Sequence, residues 1–321
     1  MKNKYFLWPE NSILRGIASS YKLVGTEQIE NLLQNMFPSG YPVLCSSGRA
    51  AITLALEQSN VTRSGFVGLF PYASHCVIDA VARLSTPLSG PTAIKANHRI
   101  VYHQWGYVQE KNLPKNTIED CVDTLCVKGT ELFPGGGIFE VWSLPKILGT
   151  TSGGVLWCKH EKTAIDIRIH RDKSKGALLQ WFLRLLSKNN HRIYQYWQGA
   201  ESTSSNVSKF QTGELLAAIM DWDKIVIDRI KKINLVWHMA PEWLPKPDKR
   251  LPPVVPVIYD IEEKKIFEKG LKSGFRMIEK LDNIDGVRKL LKVIPVPVHQ
   301  SVLYSDLIEL EIFFKSNRKI E

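Results

Sequence analysis

The stretch Gly135 to Trp157 (GGGIFEVWSLPKILGTTSGGVLW) constrains this chain more than any other. A glycine cluster releases a short apolar run of β type. That run ends in Ser143-Leu144-Pro145-Lys146, and the pair Gly153-Gly154 opens a second apolar run ending at Cys158. The pattern reads as strand, turn, strand. Pro145 cannot continue a central strand, so the chain leaves the sheet there and delivers Lys146 just beyond a strand end. A lysine held among apolar residues is a candidate Schiff-base amine, because desolvation favours its neutral, nucleophilic form. The alternative is an ordinary solvated loop lysine.

Strand-turn-helix units precede this stretch. Thr26 to Met36 reads as an amphipathic helix with Ile29, Leu32 and Leu33 on one face, stopped by Pro38 and Gly40. A strand from Tyr41 runs through Ser46-Ser47 into a helix beginning near Gly48. The free amides at such a helix start make a phosphate cradle, or simply an N-capped turn. Gly65 to Pro71 reads as a buried strand. A helix follows from about Ser74, carrying Val77, Val81 and Leu84. His75 sits at that corner, where open parallel sheets place their ligands. Glu119, Asp120 and Asp123 come close to a further strand end, as a loop with a task or as solvated surface. The repeated order predicts a doubly wound α/β sheet.

After Lys159, basic residues cluster from Arg168 to Lys175. Ala177 to Leu186 (ALLQWFLRLL) is apolar almost all round a helix, so something must cover it, and a second subunit or a membrane surface would serve. Ser202 to Ser208 is loop-like, and Glu214 to about His238 reads as one long helix. Six prolines between Pro241 and Pro256 mark a domain boundary. They divide a large domain, 1–240, from a small α/β domain, 241–321, with a strand at 254–259, a helix over 262–272, an extended stretch at 293–299 and a last helix over 305–314.

Composition narrows the function. The 321 residues, 44% hydrophobic and 23% charged, can bury a full core in water. The start of the chain lacks the apolar region of a signal peptide and no run is long enough to span a bilayer, so a cytoplasmic protein is expected. Cys45, Cys76, Cys121, Cys126 and Cys158 have neither metal-ligand nor disulfide spacing, which leaves buried free thiols. The net charge of +10 favours anionic partners, but no nucleic-acid motif accompanies it.

In consistent order over nearly the whole chain, these motifs resemble the DegT/DnrJ/StrS-type aminotransferases. Ser47-Gly48-Arg49-Ala50-Ala51-Ile52 is similar to the family's Ser-Gly-Thr-Ala-Ala-Leu phosphate turn. Pro71 and His75 stand for its proline and cofactor-stacking ring, and Glu119-Asp120-Cys121-Val122-Asp123 for its Glu-Asp-Ala-Ala-Gln loop. Ser143, Lys146 and Gly153-Gly154 stand for its lysine strand, Glu214 to Ala218 for the start of its long helix, and Pro295 to His299 for its Leu-Pro-x-His stretch.

The resemblance implies a fold-type-I, aspartate aminotransferase-like α/β enzyme: a mostly parallel sheet flanked by helices, with a small C-terminal α/β domain. The implied cofactor is pyridoxal 5'-phosphate (PLP). By the same resemblance Lys146 is the imine-forming lysine and Asp120 the partner of the pyridine nitrogen. Ser47, Gly48, Arg49 and Ser143 hold the phosphate, His75 stacks on the ring, and Asp123 lies beside it. The implied reaction passes an amino group from a donor such as glutamate to a keto group on a nucleotide-linked sugar, for polysaccharide or secondary-metabolite synthesis, in a homodimer with shared sites. Arg49 replaces a threonine, Asp123 replaces a glutamine or histidine, the serine-to-lysine spacing is shorter by two, and Lys209 and Gln211 stand where an asparagine and an arginine are usual. These departures point to the alternative, a PLP-fold binding or partner subunit without transaminase activity. A sugar dehydratase on the same scaffold would carry histidine in place of Lys146.

Overall fold

The computed structural model describes residues 4–11, 18, 23–108, 112–174, 178–187, 192–193, 205–281 and 288–317. Helix α1 (Thr26–Met36) turns Ile29, Leu33 and Met36 inward and ends just before Pro38. Strand β1 (Tyr41–Cys45) passes through Ser46-Ser47 into α2 (Gly48–Gln58). The unit recurs as β2 (Phe66–Gly68) and α3 (His75–Leu84), with Val77, Ala80 and Val81 buried at helical spacing. Then come β3 (Thr86–Leu88), β4 (His98–Tyr102), β5 (Thr117–Asp120), β6 (Leu125–Cys126) and β7 (Phe139–Ser143). A single-turn helix α4 (Leu144–Leu148), β8 (Gly154–Cys158) and α5 (Glu161–Lys173) complete this region.

Seven strands form one sheet in the order β1-β8-β7-β5-β4-β2-β3. From β7 through β3 the pairing is parallel, and only β8 runs antiparallel, to both β7 and β1. The parallel strands therefore bring their carboxyl ends to one edge. Helices α2, α3 and α5 cover one face through a cluster that includes Val43, Leu54, Val67, Ile100, Val141 and Ile167. Against the other face, Phe37 packs edge-on to Trp142, Trp157 and Trp222 with ring centroids 5.1, 5.7 and 5.6 Å away.

Three readings need correction. Thr117 to Asp120 is a fully buried strand, not a loop or solvated surface. Its acids are tolerated there because neighbouring donors and cations meet them. The long helix is two, α7 (Lys209–Met220) and α8 (Trp222–Val236), because Asp221 ends one and starts the next. The turn at Pro145 is helical, which proline permits in a first helical turn. Ala177 and Ser202 to Ser204 lie outside the described residues; α6 (Leu178–Ser187) carries the rest of the apolar run.

Beyond Pro241, β9 (Arg250–Leu251) pairs with β6. The strands β10 (Val254–Val257), β11 (Arg276–Leu281) and β12 (Arg288–Pro297) form an antiparallel sheet in the order β10-β12-β11. Helices α9 (Glu263–Glu268) and α10 (Tyr304–Ser316) accompany it. Val255, Val257, Ile294, Leu307 and Phe314 join the same apolar cluster as Leu215, Trp222 and Ile233. Strand β11 is absent from the sequence reading. Its order RMIEKL has no clean alternation, and only pairing with β12 makes it a strand. All five cysteines are free, and burial raises the Cys45 and Cys126 thiols to about 12. Among the described residues no helix is long and apolar enough to cross a membrane.

Candidate active site

A cavity of about 750 Å³ opens at the carboxyl edge of the parallel strands. The β1–α2 turn lends it Ser47, Gly48 and Arg49, and the β2–α3 corner lends Phe70, Tyr72 and His75. Tyr102 ends β4, Asp120 ends β5, and Ser143 ends β7. Lys146 follows on α4, and Leu7 and Trp8 come from the N-terminal strap. All the expected site residues except Asp123 border this one space.

Local packing explains the glycines. A Cβ on Gly154 would lie 2.3 Å from the Ser47 carbonyl carbon and 2.6 Å from the Gly48 nitrogen, so β8 can pass beneath the β1–α2 turn only without a side chain. Gly153 has φ +102°, and a Cβ there would meet Leu215 at 2.9 Å. Ser47 caps α2 by accepting from the Ala50 amide at 3.1 Å. The turn is thus an N-cap, and a helix start of this kind favours an anion. Ser143 starts α4 without spending its hydroxyl on a cap. Gly149, at φ 74°, ends α4 in the left-handed conformation, which confines Lys146 to one rigid turn.

The alternation of β5 separates its two acids. Glu119 turns away from the cavity, accepting from His103 Nε2 and from the Gly135 and Gly137 amides, each at 2.7 Å. Asp120 borders the cavity and accepts from the Val122 amide at 3.2 Å. Burial raises the Asp120 carboxyl to about 7 against the opposing pull of Lys146. Asp123 stands behind the cavity rather than in its wall. It accepts the Tyr102 hydroxyl and the Trp105 amide, the latter at 3.2 Å, and burial raises its carboxyl too. An acid here orients the wall residues, and in the cavity itself Tyr102 stands in front of it.

Several residues escaped the sequence reading. Phe70, Tyr72 and Tyr102 form an aromatic wall, with centroids 5.1 to 6.3 Å apart, while His75 is exposed at the rim. The Trp8 ring lies 4.5 Å from Lys146 Nζ. Phe6 and Glu10 tie that strap down, through His299 Nε2 at 3.0 Å and the Ser301 hydroxyl at 3.1 Å. Fully buried Arg229 donates to the Ile147 carbonyl at 3.1 Å, and Gln300 Nε2 joins it there at 3.2 Å, fixing α4 from behind. Glu214 holds the Thr151 amide at 2.8 Å in the loop after Lys146. Gln211, which stands where the resemblance expects an arginine, caps α7 by accepting from the Ser208 amide at 2.9 Å. Of these, Phe70 and Tyr72 have a local signal, the run Phe70-Pro71-Tyr72.

A family model described as "Putative PLP-dependent aminotransferase" matches residues 29–268. The chain belongs to this family of PLP-dependent aminotransferases. Solved structures show the same fold. The aminotransferase TlmJ from Streptoalloteichus hindustanus is 13% identical with a TM-score of 0.64, covering 97% of this chain and 98% of its own. The sugar aminotransferase CalS13 from Micromonospora echinospora is also 13% identical at 0.64, covering 98% and 100%. A DegT DnrJ EryC1 StrS aminotransferase from Brucella abortus is 12% identical at 0.62, covering 94% and 95%. No curated protein matches the sequence.

The cavity of this aminotransferase fits PLP in size and in donors. Gly48, where a Cβ would press on Ser143 and Val122 at 3.3 Å, keeps the helix start close to the Ser143 hydroxyl, and the Arg49 side chain borders the same space. That is the chemistry of a phosphate cradle.

Proposed function

We propose that this aminotransferase passes an amino group from a donor such as glutamate to a keto group on a nucleotide-linked sugar, in polysaccharide or secondary-metabolite synthesis in the cytoplasm. The observation that carries the reading is the placement of Asp120 at the end of β5 and of Lys146 on α4 just beyond the end of the adjacent β7, bordering one cavity with the α2 helix start. The description of CalS13 as a sugar aminotransferase supports the substrate class.

Bound PLP supplies an electron sink for negative charge developing at the substrate carbon. The α2 start, Arg49 and Ser143 bind its phosphate. Lys146 Nζ, held on one rigid helical turn, would be the amine that holds the cofactor and the base that moves the substrate proton. Burial raises the Asp120 carboxyl to about 7, and it ionises readily once a cation faces it, so Asp120 would hold a proton at the cofactor's ring nitrogen. Trp8 and the Phe70, Tyr72 and Tyr102 wall exclude water.

Adding PLP should produce a visible absorbance band at one cofactor per chain, and L-glutamate should then bleach it. A band that glutamate leaves unchanged would favour the alternative, a partner subunit without activity. A homodimer is part of this proposal. Leu179, Phe182 and Leu186, spaced i, i+3 and i+7 on α6, are 62%, 51% and 58% exposed. Light scattering should report twice the 36.5 kDa chain mass; a monomer at micromolar concentration would remove the shared-site claim.

A further inference from the structure

Arg229 lies on α8 with its side chain fully buried, yet among the described residues no carboxylate comes within ion-pair distance of it. The neighbouring Asp228 carboxylate goes to Lys232 Nζ instead, at 2.7 Å. Only Nη2 is used, donating to the Ile147 carbonyl at 3.1 Å and to Gln300 Oε1 at 2.7 Å, both neutral acceptors. Nε and Nη1 find no acceptor among the described residues. Burial accordingly pulls the guanidinium down to about 9. A charge taken out of water and answered by neutral groups alone costs stability, and a group of that kind is retained where function depends on it.

The contacts around Arg229 show what depends on it. Ile147 follows Lys146 directly in α4, and its carbonyl takes a second donor, Gln300 Nε2 at 3.2 Å. His299, the residue before Gln300, donates from Nε2 to the Phe6 carbonyl at 3.0 Å and accepts the Ser301 amide at Nδ1, at 3.3 Å. Burial, with Arg229 and Lys232 nearby, pushes this ring down to about 3, so it stays neutral and keeps that one tautomer. Phe6 belongs to the strap that lays the Trp8 ring 4.5 Å from Lys146 Nζ. One corner of the fold therefore grips both flanks of the amine, the turn that carries it and the ring that covers it.

We infer that Arg229 is a positioning residue for Lys146: together with Gln300 its unpaired guanidinium holds the Ile147 carbonyl, so that the α4 turn keeps Nζ at the cavity beside Trp8. The inference rests on the proposed function for the use made of Lys146. A one-turn helix has few hydrogen bonds of its own, so donors outside it set its orientation. A misplacement of about 1 Å at a reacting group can cost roughly a hundredfold in rate.

Arg229→Met replaces the guanidinium with a flexible apolar chain and leaves Gln300 alone on the Ile147 carbonyl. In the unloaded protein its urea midpoint should stay at or above the parent's, while amide hydrogen exchange across α4 quickens by about tenfold or more and that of α2 and α3 does not. Pyridoxine 5'-phosphate has no aldehyde and cannot bond to a lysine; it should bind as in the parent, read by the fluorescence of Trp8 and Trp105 in the cavity. With PLP, whose aldehyde carbon takes the Lys146 nitrogen and releases water, the visible band should form roughly tenfold to a hundredfold more slowly. Gln300→Leu, at a half-buried position, should give the same pattern on a smaller scale, and it decides the question if Arg229→Met does not fold. Parent-like α4 exchange and band formation overturn the inference, as does a lower urea midpoint with an unchanged rate, the mark of a purely structural arginine. Slow band formation accompanied by weaker pyridoxine 5'-phosphate binding reports a collapsed cavity and overturns it too. A parent that binds pyridoxine 5'-phosphate but forms no band with PLP refutes the proposed function, and α4 exchange then decides the positioning alone.

Discussion

Replacing Lys146 with alanine is expected to slow amino transfer by at least about a thousandfold while leaving the protein folded. The loss should be large because one nitrogen is asked to serve twice, as nucleophile and as proton carrier, and the cavity lining holds no second lysine near the strand end that delivers it. The fold should survive. Leu144, Pro145, Ile147 and Leu148 bury the rest of α4, Arg229 and Gln300 hold the Ile147 carbonyl, and alanine favours a helix. Lys146→Ala also removes a positive charge that holds Asp120 and Asp123 down. Lys146→Arg is therefore the informative partner, since it keeps the charge and cannot surrender a proton near neutral pH. Both variants should be inactive and should lose borohydride-stable attachment of PLP, which in the parent protein falls on the peptide containing Lys146. Activity within tenfold of the parent in either variant, or labelling on another peptide, would remove Lys146 from the reaction.

The second large effect belongs to Asp120. Changing Asp120 to Asn keeps the shape and loses the charge that faces the ring nitrogen. If that charge supplies a few kcal/mol, the half-reaction with glutamate slows by roughly a hundredfold or more, at about 1.4 kcal/mol per decade. Glu119→Gln acts differently: it strips charge from the acceptor of His103, Gly135 and Gly137 and should lower stability without a comparable change in rate. The opposite pattern would mean that Glu119 is the functional acid.

Asp120 also leaves a signature in the protein without cofactor. Its folded carboxyl, at about 7, lies above the unfolded range of about 3.9. The folded state then binds the extra proton, so this stabilising contribution is complete below about pH 4 and is lost as pH rises through 7, by up to about 1.4 kcal/mol per pH unit. Urea denaturation of the unloaded protein across that window should show the decline, and Asp120→Asn should flatten it. An unchanged slope would place the titration elsewhere.

The recurring strand-turn-helix units were legible because each reports itself locally, through apolar spacing and through the Gly and Pro residues that end it. So were the strand end at Ser143 and the exit at Pro145, which follow from apolar patterning and proline's backbone geometry. By itself the sequence determined the class of sheet, the edge where chemistry gathers and the residues Gly48, Asp120, Ser143 and Lys146 that meet there. It could not show that Asp123 stands behind the wall, because a residue three beyond a strand end can turn either way until Tyr102 and Trp105 claim it. Trp8, Arg276 and Lys292 come from opposite ends of the chain and meet at the cavity only after the small sheet closes against the large one. Only the tertiary structure decided these contacts, because long-range packing and the burial of charge depend on which surfaces meet, and no local spacing encodes that.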